Sequence, residues 1–202
     1  MTQLETLLKD LIEIKTTADE EHNLYKIIDY IEMFFNDVDV VTRRYMSNNK
    51  PSLVITPTLD KHPTVFLAGH VDVVDGKEEL FQPYLKDGRM YGRGASDMKG
   101  VVAAMLLTYK ELVSNGQADN VGMLVTTDEE IGGFNGTRHV IEEQGFRSDV
   151  VFLPDGMLGD WQLCVAEKGF IWFDLEMTGS QSHSSRPWLG TNAISDLMDV
   201  IS

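Results

Sequence analysis

Acidic and imidazole side chains close three apolar runs in this sequence. His70 and Asp72 follow TVFLAG (64–69), Asp128, Glu129 and Glu130 follow VGMLVTT (121–127), and Asp155 follows DVVFLP (149–154). Asp97 stands within GRGASDMKG (92–100). Carboxylates that share a crevice repel one another unless protons or a cation neutralise them. Imidazole plus carboxylates, without thiolates, suits zinc or a similar divalent ion, above all in an open catalytic site. In an extended segment His70 and Asp72 share a face, so the carboxylate can orient the imidazole. Plainer readings stand beside these. An acid run is usually a solvated turn, Asp97 fits a helix N-cap, Asp155 in Leu-Pro-Asp-Gly fits a turn, and His70 alone fits a structural histidine. Gly92-Arg93-Gly94 lacks the spacing of a phosphate loop, and Asp97 would repel a phosphate there.

The elements that must position these residues are legible from periodicity. Leu4, Leu7, Leu8, Leu11 and Ile12 keep helical spacing, as do Leu24, Ile27, Ile28, Ile31, Phe34 and Phe35. Short β-rich runs follow at 38–45, 52–56 and 64–69, and Lys86-Asp87-Gly88-Arg89 reads as a two-residue hairpin. A long helix is expected from about Met98, then strand 121–126, a helix through about 136–144 and strand 149–154. Strands alternating with helices predict an α/β fold, a mostly parallel sheet flanked by helices. In such sheets ligands bind outside the carboxyl ends of the strands, which is where His70, Glu129, Glu130 and Asp155 fall. After Gly156 the texture changes, and residues 167–202 read as the start of a smaller α+β unit behind a first domain of 1–166. Its final helix has Ile194, Leu197, Met198 and Ile201 on one face and stops mid-pattern, so the expectation is an N-terminal portion of a longer protein.

Composition narrows the partners. Seventeen Lys and Arg against 32 Asp and Glu leave a net charge of −15, which argues against nucleic acid and anionic membranes. Cys164 is the single cysteine, which excludes a disulfide framework and a thiolate zinc finger. No signal peptide or membrane span is visible, so the cytoplasm is the expected compartment.

Taken in order, GHVDVV (69–74), YGRGASDMKG (91–100), TTDEEIGG (126–133), LPDG (153–156) and SHSSRPWLGTNAI (182–194) resemble the successive motifs of the M20 metallopeptidases. That family includes acetylornithine deacetylase, succinyl-diaminopimelate desuccinylase, aminoacylase, carboxypeptidase G and several di- and tripeptidases. The resemblance implies a two-zinc amide hydrolase, with cobalt or manganese as alternatives. It also implies an inserted lid domain that often forms a homodimer. Within it His70 looks like a ligand of the first zinc, Asp72 its orienting partner, and Asp97 the carboxylate bridging both metals. Glu129 resembles the general base, Glu130 a ligand of the second zinc, and Asp155 the remaining ligand of the first. His183 resembles the lid histidine that polarises the scissile carbonyl.

Two departures qualify the resemblance. The family's last ligand, a histidine on the second zinc, would lie beyond Ser202. Asp155 is the residue usual in the family's amino- and dipeptidases, whereas HSSRPWLGTNAI looks closer to acetylornithine deacetylases. The expected activity is hydrolysis of N-acyl amino acids or short peptides. A peptidase of the same family and a non-catalytic binding relative are the alternatives.

Overall fold

The computed structural model describes residues 1–155, 164–166, 168, 169, 171 and 173–202. The chain divides into two compact units, Met1–Trp161 and Gln162–Ser202. Gly156 and parts of the WQLCVAE and FIWFDLEMTG segments lie outside the described residues.

The first unit begins with helix α1 (Gln3–Glu13), whose start is written in the sequence. Thr2 accepts the Glu5 backbone N–H, and the Glu5 carboxylate accepts the Thr2 N–H in return, a capping box that satisfies two donors at the helix end. Helix α2 (Glu21–Phe34) buries Leu24, Ile27, Ile28 and Ile31, the face its periodicity predicts. Strands β1 (Val41–Ser47), β2 (Lys50–Thr56), β3 (Val65–His70), β6 (Val121–Thr126) and β7 (Val150–Phe152) form one sheet, with β4 (Tyr84–Lys86) and β5 (Arg89–Tyr91) as a separate hairpin. Helix α3 (Lys99–Ser114) connects β5 to β6.

The sheet runs β1-β2-β6-β3-β7. Its β6-β3-β7 half is parallel, as the alternation of strands and helices predicts, while β1 and β2 join it antiparallel. Alternate residues feed two cores. Leu53, Ile55, Met123 and Val125 belong to the large core with α1, α2 and α3, whereas Val54 and Leu124 join Phe66, Val140 and Phe146 on the other face. A period of two therefore buries the central strands on both sides. Val140 comes from a π-helical turn, His139–Glu143, inside the stretch where an ordinary helix is expected. α3 covers one face of the sheet and this turn the other, and the carboxyl end of β3 is the place where such sheets bind ligands.

The second unit contains a 3₁₀ turn at Pro187–Leu189 and helix α4 (Ala193–Ile201), N-capped by the Asn192 side chain. Among the described residues, no helix is long and apolar enough to cross a membrane.

Candidate metal centre

β3 delivers the central ligand. His70 is its last residue, and Val71 extends the ladder by donating its N–H to the Thr126 carbonyl at 2.9 Å. The segment beyond is stitched to the chain that follows α1. Thr16 Oγ1 donates to the Val71 carbonyl at 2.5 Å, and the Val73 N–H donates to the Thr16 carbonyl at 3.1 Å. Asp72 is thus fixed between two anchored neighbours and is 2% exposed.

The His70 imidazole is 1% exposed. Its Nδ1 faces only acceptors, the Asp72 carbonyl at 3.0 Å and the Asp72 Oδ1 at 3.4 Å, so this nitrogen carries a proton. Its Nε2 faces Asp97 Oδ1 at 3.2 Å, Glu129 Oε2 at 3.6 Å and Asp155 Oδ2 at 3.6 Å. One nitrogen cannot satisfy three carboxylates by hydrogen bonding, so the group needs a cation. Burial alone would lower the imidazole pKa, but the Asp72 hydrogen bond and the charges of Asp72, Glu129 and Asp155 outweigh it and raise the value to about 9. In the metal-free chain that cation is a proton.

The same donor set fits a divalent ion. Ligand atoms of His70, Asp97 and Asp155 all lie within 4.8 Å of one another. Two ligands of one tetrahedral zinc, each ~2.1 Å from it, are about 3.4 Å apart, close to the spacings around Nε2. A neutral histidine held by a carboxylate, with two further carboxylates and no thiolate, is the chemistry of such a site.

The two glutamates arrive on a tight turn after β6. Glu129–Ile131 forms a single 3₁₀ turn, ended by Gly132 at φ 104°, where a side chain would be strained. The Glu130 N–H donates to Asp72 Oδ2 at 3.0 Å, and Glu130 Oε1 accepts the Val74 N–H at 3.3 Å. Burial raises the pKa of Glu129, as do the charges of Asp155, Asp72 and Glu130, while the His70 charge opposes this. Burial and the neighbouring Asp97 charge raise that of Glu130.

The structure therefore brings His70, Asp72, Asp97, Glu129 and Asp155 together. Glu130 is tethered beside them through Asp72 and Val74, outside the three-residue ligand group. His183 lies in the second unit, exposed, with Nδ1 accepting from the Ser185 N–H at 3.2 Å. Two contributors escape the sequence reading. Lys99, fully buried, donates to the Leu11 and Ile14 carbonyls at 2.9 and 2.8 Å and ties the start of α3 to the end of α1. Asp128, treated with its neighbours as part of an acid run, is fully buried. For Lys99 the only signal is a lysine at the start of an apolar helix; for Asp128 there is none.

Comparison with known proteins shows the family to which the chain belongs. The chain is 29% identical over 203 residues to a probable succinyl-diaminopimelate desuccinylase of Staphylococcus epidermidis, covering 96% of this chain and 49% of that protein. It is 34% identical over 153 residues to the succinyl-diaminopimelate desuccinylase of Parvibaculum lavamentivorans, covering 69% of this chain and 38% of the relative. The chain thus spans about half the length, 49%, of the first of these curated relatives. Human carnosine dipeptidase 1 shares the fold with a TM-score of 0.65 at 18% identity, over 77% of this chain and 38% of that one. An M20 family metallo-carboxypeptidase from Sulfolobus solfataricus does so at 0.62 and 21%, over 76% and 37%. The profile of peptidase family M20/M25/M40 matches residues 66–189, a stretch that runs from β3 past the glutamate turn and His183. This chain belongs to that family.

Proposed function

We propose that the chain is the metal-binding portion of a divalent-metal-dependent amide hydrolase acting on N-acyl amino acids or short peptides. The observation that carries this reading is His70 Nε2, faced by the carboxylates of Asp97, Glu129 and Asp155 within 3.6 Å. His70, Asp97 and Asp155 would hold one zinc ion, and Asp97 and Glu130 would contribute to a second. Bound there, zinc would lower the pKa of a water to about 7 and polarise a carbonyl oxygen.

The remaining chemistry belongs to side chains. Asp72 holds the His70 imidazole with Nδ1 protonated, leaving the Nε2 lone pair for the ion. Glu129, whose pKa is raised by burial and by neighbouring acids, takes a proton from the attacking water and returns it to the leaving amine. We assign His183 the role of stabilising the developing oxyanion, and residues 167–202 to a lid that forms a homodimer. In this reading residues 1–166 belong to the catalytic domain, and the protein is cytoplasmic.

The names of the curated relatives favour an N-succinyl amino acid as substrate, the HSSRPWLGTNAI stretch adds N-acetyl amino acids, and Asp155 keeps dipeptides as the second class. The test is a screen of the full-length protein, with zinc and with chelator, on succinyl-diaminopimelate, acetylornithine and dipeptides. Hydrolysis that survives complete chelation, or none on any substrate with zinc, would sink the reading.

A further inference from the structure

The acid triplet that ends β6 is not uniform, and its first member does something different from the other two. Asp128 is 0% exposed, although it follows a strand end and precedes an exposed and a half-buried glutamate. A buried carboxylate is costly unless hydrogen bonds compensate it. Its Oδ2 accepts the Asn135 N–H at 2.7 Å. Its carbonyl accepts the Gly133 N–H at 2.8 Å and the Ile131 N–H at 3.3 Å. Side chain and backbone of this one residue therefore close the whole turn from 128 to 135. The far end of the turn is pinned to β1, since Ser47 Oγ donates to Asn135 Oδ1 at 3.0 Å.

Gly136 leaves the space in which the carboxylate sits. A Cβ built there would stand 2.1 Å from Asp128 Oδ1 and 2.9 Å from Thr126 Cβ. The neighbouring residues show what the closed turn carries. Glu129 Oε2 reaches within 3.6 Å of His70 Nε2, and the Glu130 N–H is held by Asp72. One buried carboxylate thus grips the turn at Glu130, and the other closes it behind.

We infer that Asp128 is a positioning residue: by closing the 128–135 turn it sets where Glu129 and Glu130 stand relative to His70, without itself touching substrate or metal. This rests on the proposed hydrolase reading for its activity arm, and its metal arm does not.

The test uses the full-length protein and four variants: Asp128→Ala, Asp128→Asn, Gly136→Ala and the Asp128→Ala/Gly136→Ala pair. Asn keeps an oxygen for the Asn135 N–H, so Asp128→Asn should retain most activity. Asp128→Ala should lower kcat by about 10–100-fold with KM within about threefold, the scale expected when a reacting group is displaced by about an ångström. Gly136→Ala should do the same, because the new Cβ expels the carboxylate from its place. The double variant should match Asp128→Ala, since the tighter clash is gone with the carboxylate, so the two losses do not multiply.

Zinc titration supplies a second readout. Affinity at the site of His70, Asp97 and Asp155 should stay near wild type in Asp128→Ala, and affinity at the site that Glu130 serves should fall. Wild-type kcat and zinc binding in Asp128→Ala would overturn the inference. So would losses that multiply in the double variant, or an equal loss of affinity at both sites, which marks general disruption. Should Asp128→Ala not fold, Gly136→Ala decides, and wild-type kcat in that variant overturns the proposal. If the wild type hydrolyses nothing, the hydrolase reading fails, while the zinc titrations still decide the role of Asp128.

Discussion

Glu130 donates its backbone N–H to Asp72 Oδ2 at 3.0 Å, while the other oxygen of the same carboxylate lies 3.4 Å from His70 Nδ1. A single buried side chain thereby couples the end of β3 to the turn after β6. Replacing it disturbs the imidazole and the glutamate turn together. Asp72→Ala should weaken zinc binding at the His70 site by about 10–100-fold, the usual effect of losing a partner that orients a ligand. Competition titration against a chelating dye measures this, and unchanged affinity would mean that His70 orients itself without Asp72.

The two glutamates should separate by rescue. Glu129→Gln keeps size and shape but removes the proton acceptor, so metal content should hold while kcat falls by about 10²–10⁴-fold. Glu130→Gln swaps an anionic ligand for a neutral amide, so its first effect should be weaker metal binding. Excess zinc should restore activity to the Glu130 variant and not to the Glu129 variant. The opposite pattern would reverse the roles of base and ligand.

Proton release offers a test in which no substrate is needed. The acids around His70 raise its pKa from 6.5 to about 9 in the metal-free chain, so at pH 7.5 the imidazole is protonated. A folded-state pKa raised above the unfolded value stabilises the metal-free fold fully below pH 6.5, and that contribution fades as pH rises through about 9. Zinc must displace the Nε2 proton, so binding of the ion at His70 at pH 7.5 should release about one proton from the imidazole and progressively fewer above pH 9. Calorimetry in buffers of different ionisation enthalpy counts them. A count of zero at pH 7.5 would show that the imidazole is neutral before metal arrives.

Thr16→Val removes one hydroxyl at nearly constant volume. Thr16 is fully buried, and its Oγ1 donates to the Val71 carbonyl beside His70. The variant should lose about 1–3 kcal/mol of stability, the usual penalty for an unsatisfied buried acceptor. Urea unfolding measures it, and an unchanged midpoint would show that water or a small shift replaces the bond.

The parts of this architecture that were legible from residues share one property: their signal is local. Apolar runs closed by His70, by Glu129 and Glu130 and by Asp155 mark strand ends, and Asp87-Gly88, at φ 50° and 73°, gives the two-residue hairpin its left-handed pair. The β1–β2 turn uses Asn48 and Asn49 at φ 44° and 61°, and without a glycine it does not stand out as a hairpin. What sequence does not carry is long-range pairing. Thr16 meets Val71 across 55 positions and Lys99 meets Leu11 across 88, and nothing in the spacing of either residue points to its partner. Nor does an acid triplet announce that its first residue turns inward while the next two turn out, because that division is made by the 3₁₀ turn and the space left by Gly136.

A metal ion would add a second link between β3 and β7. β7 is three residues long, pairs with β3 alone among the described strands, and leaves Val150, Val151 and Phe152 about half exposed. Asp155 hangs from it, whereas His70 and Asp97 are carried by elements that reach into the large core. Short, poorly covered strands open more readily than the fold as a whole. An ion held by His70 and Asp155 would join β3 to the segment that follows β7 by a link other than the ladder. A bound ion would in turn latch the strand shut, and amide exchange at Val151 and Phe152 should slow when zinc is added.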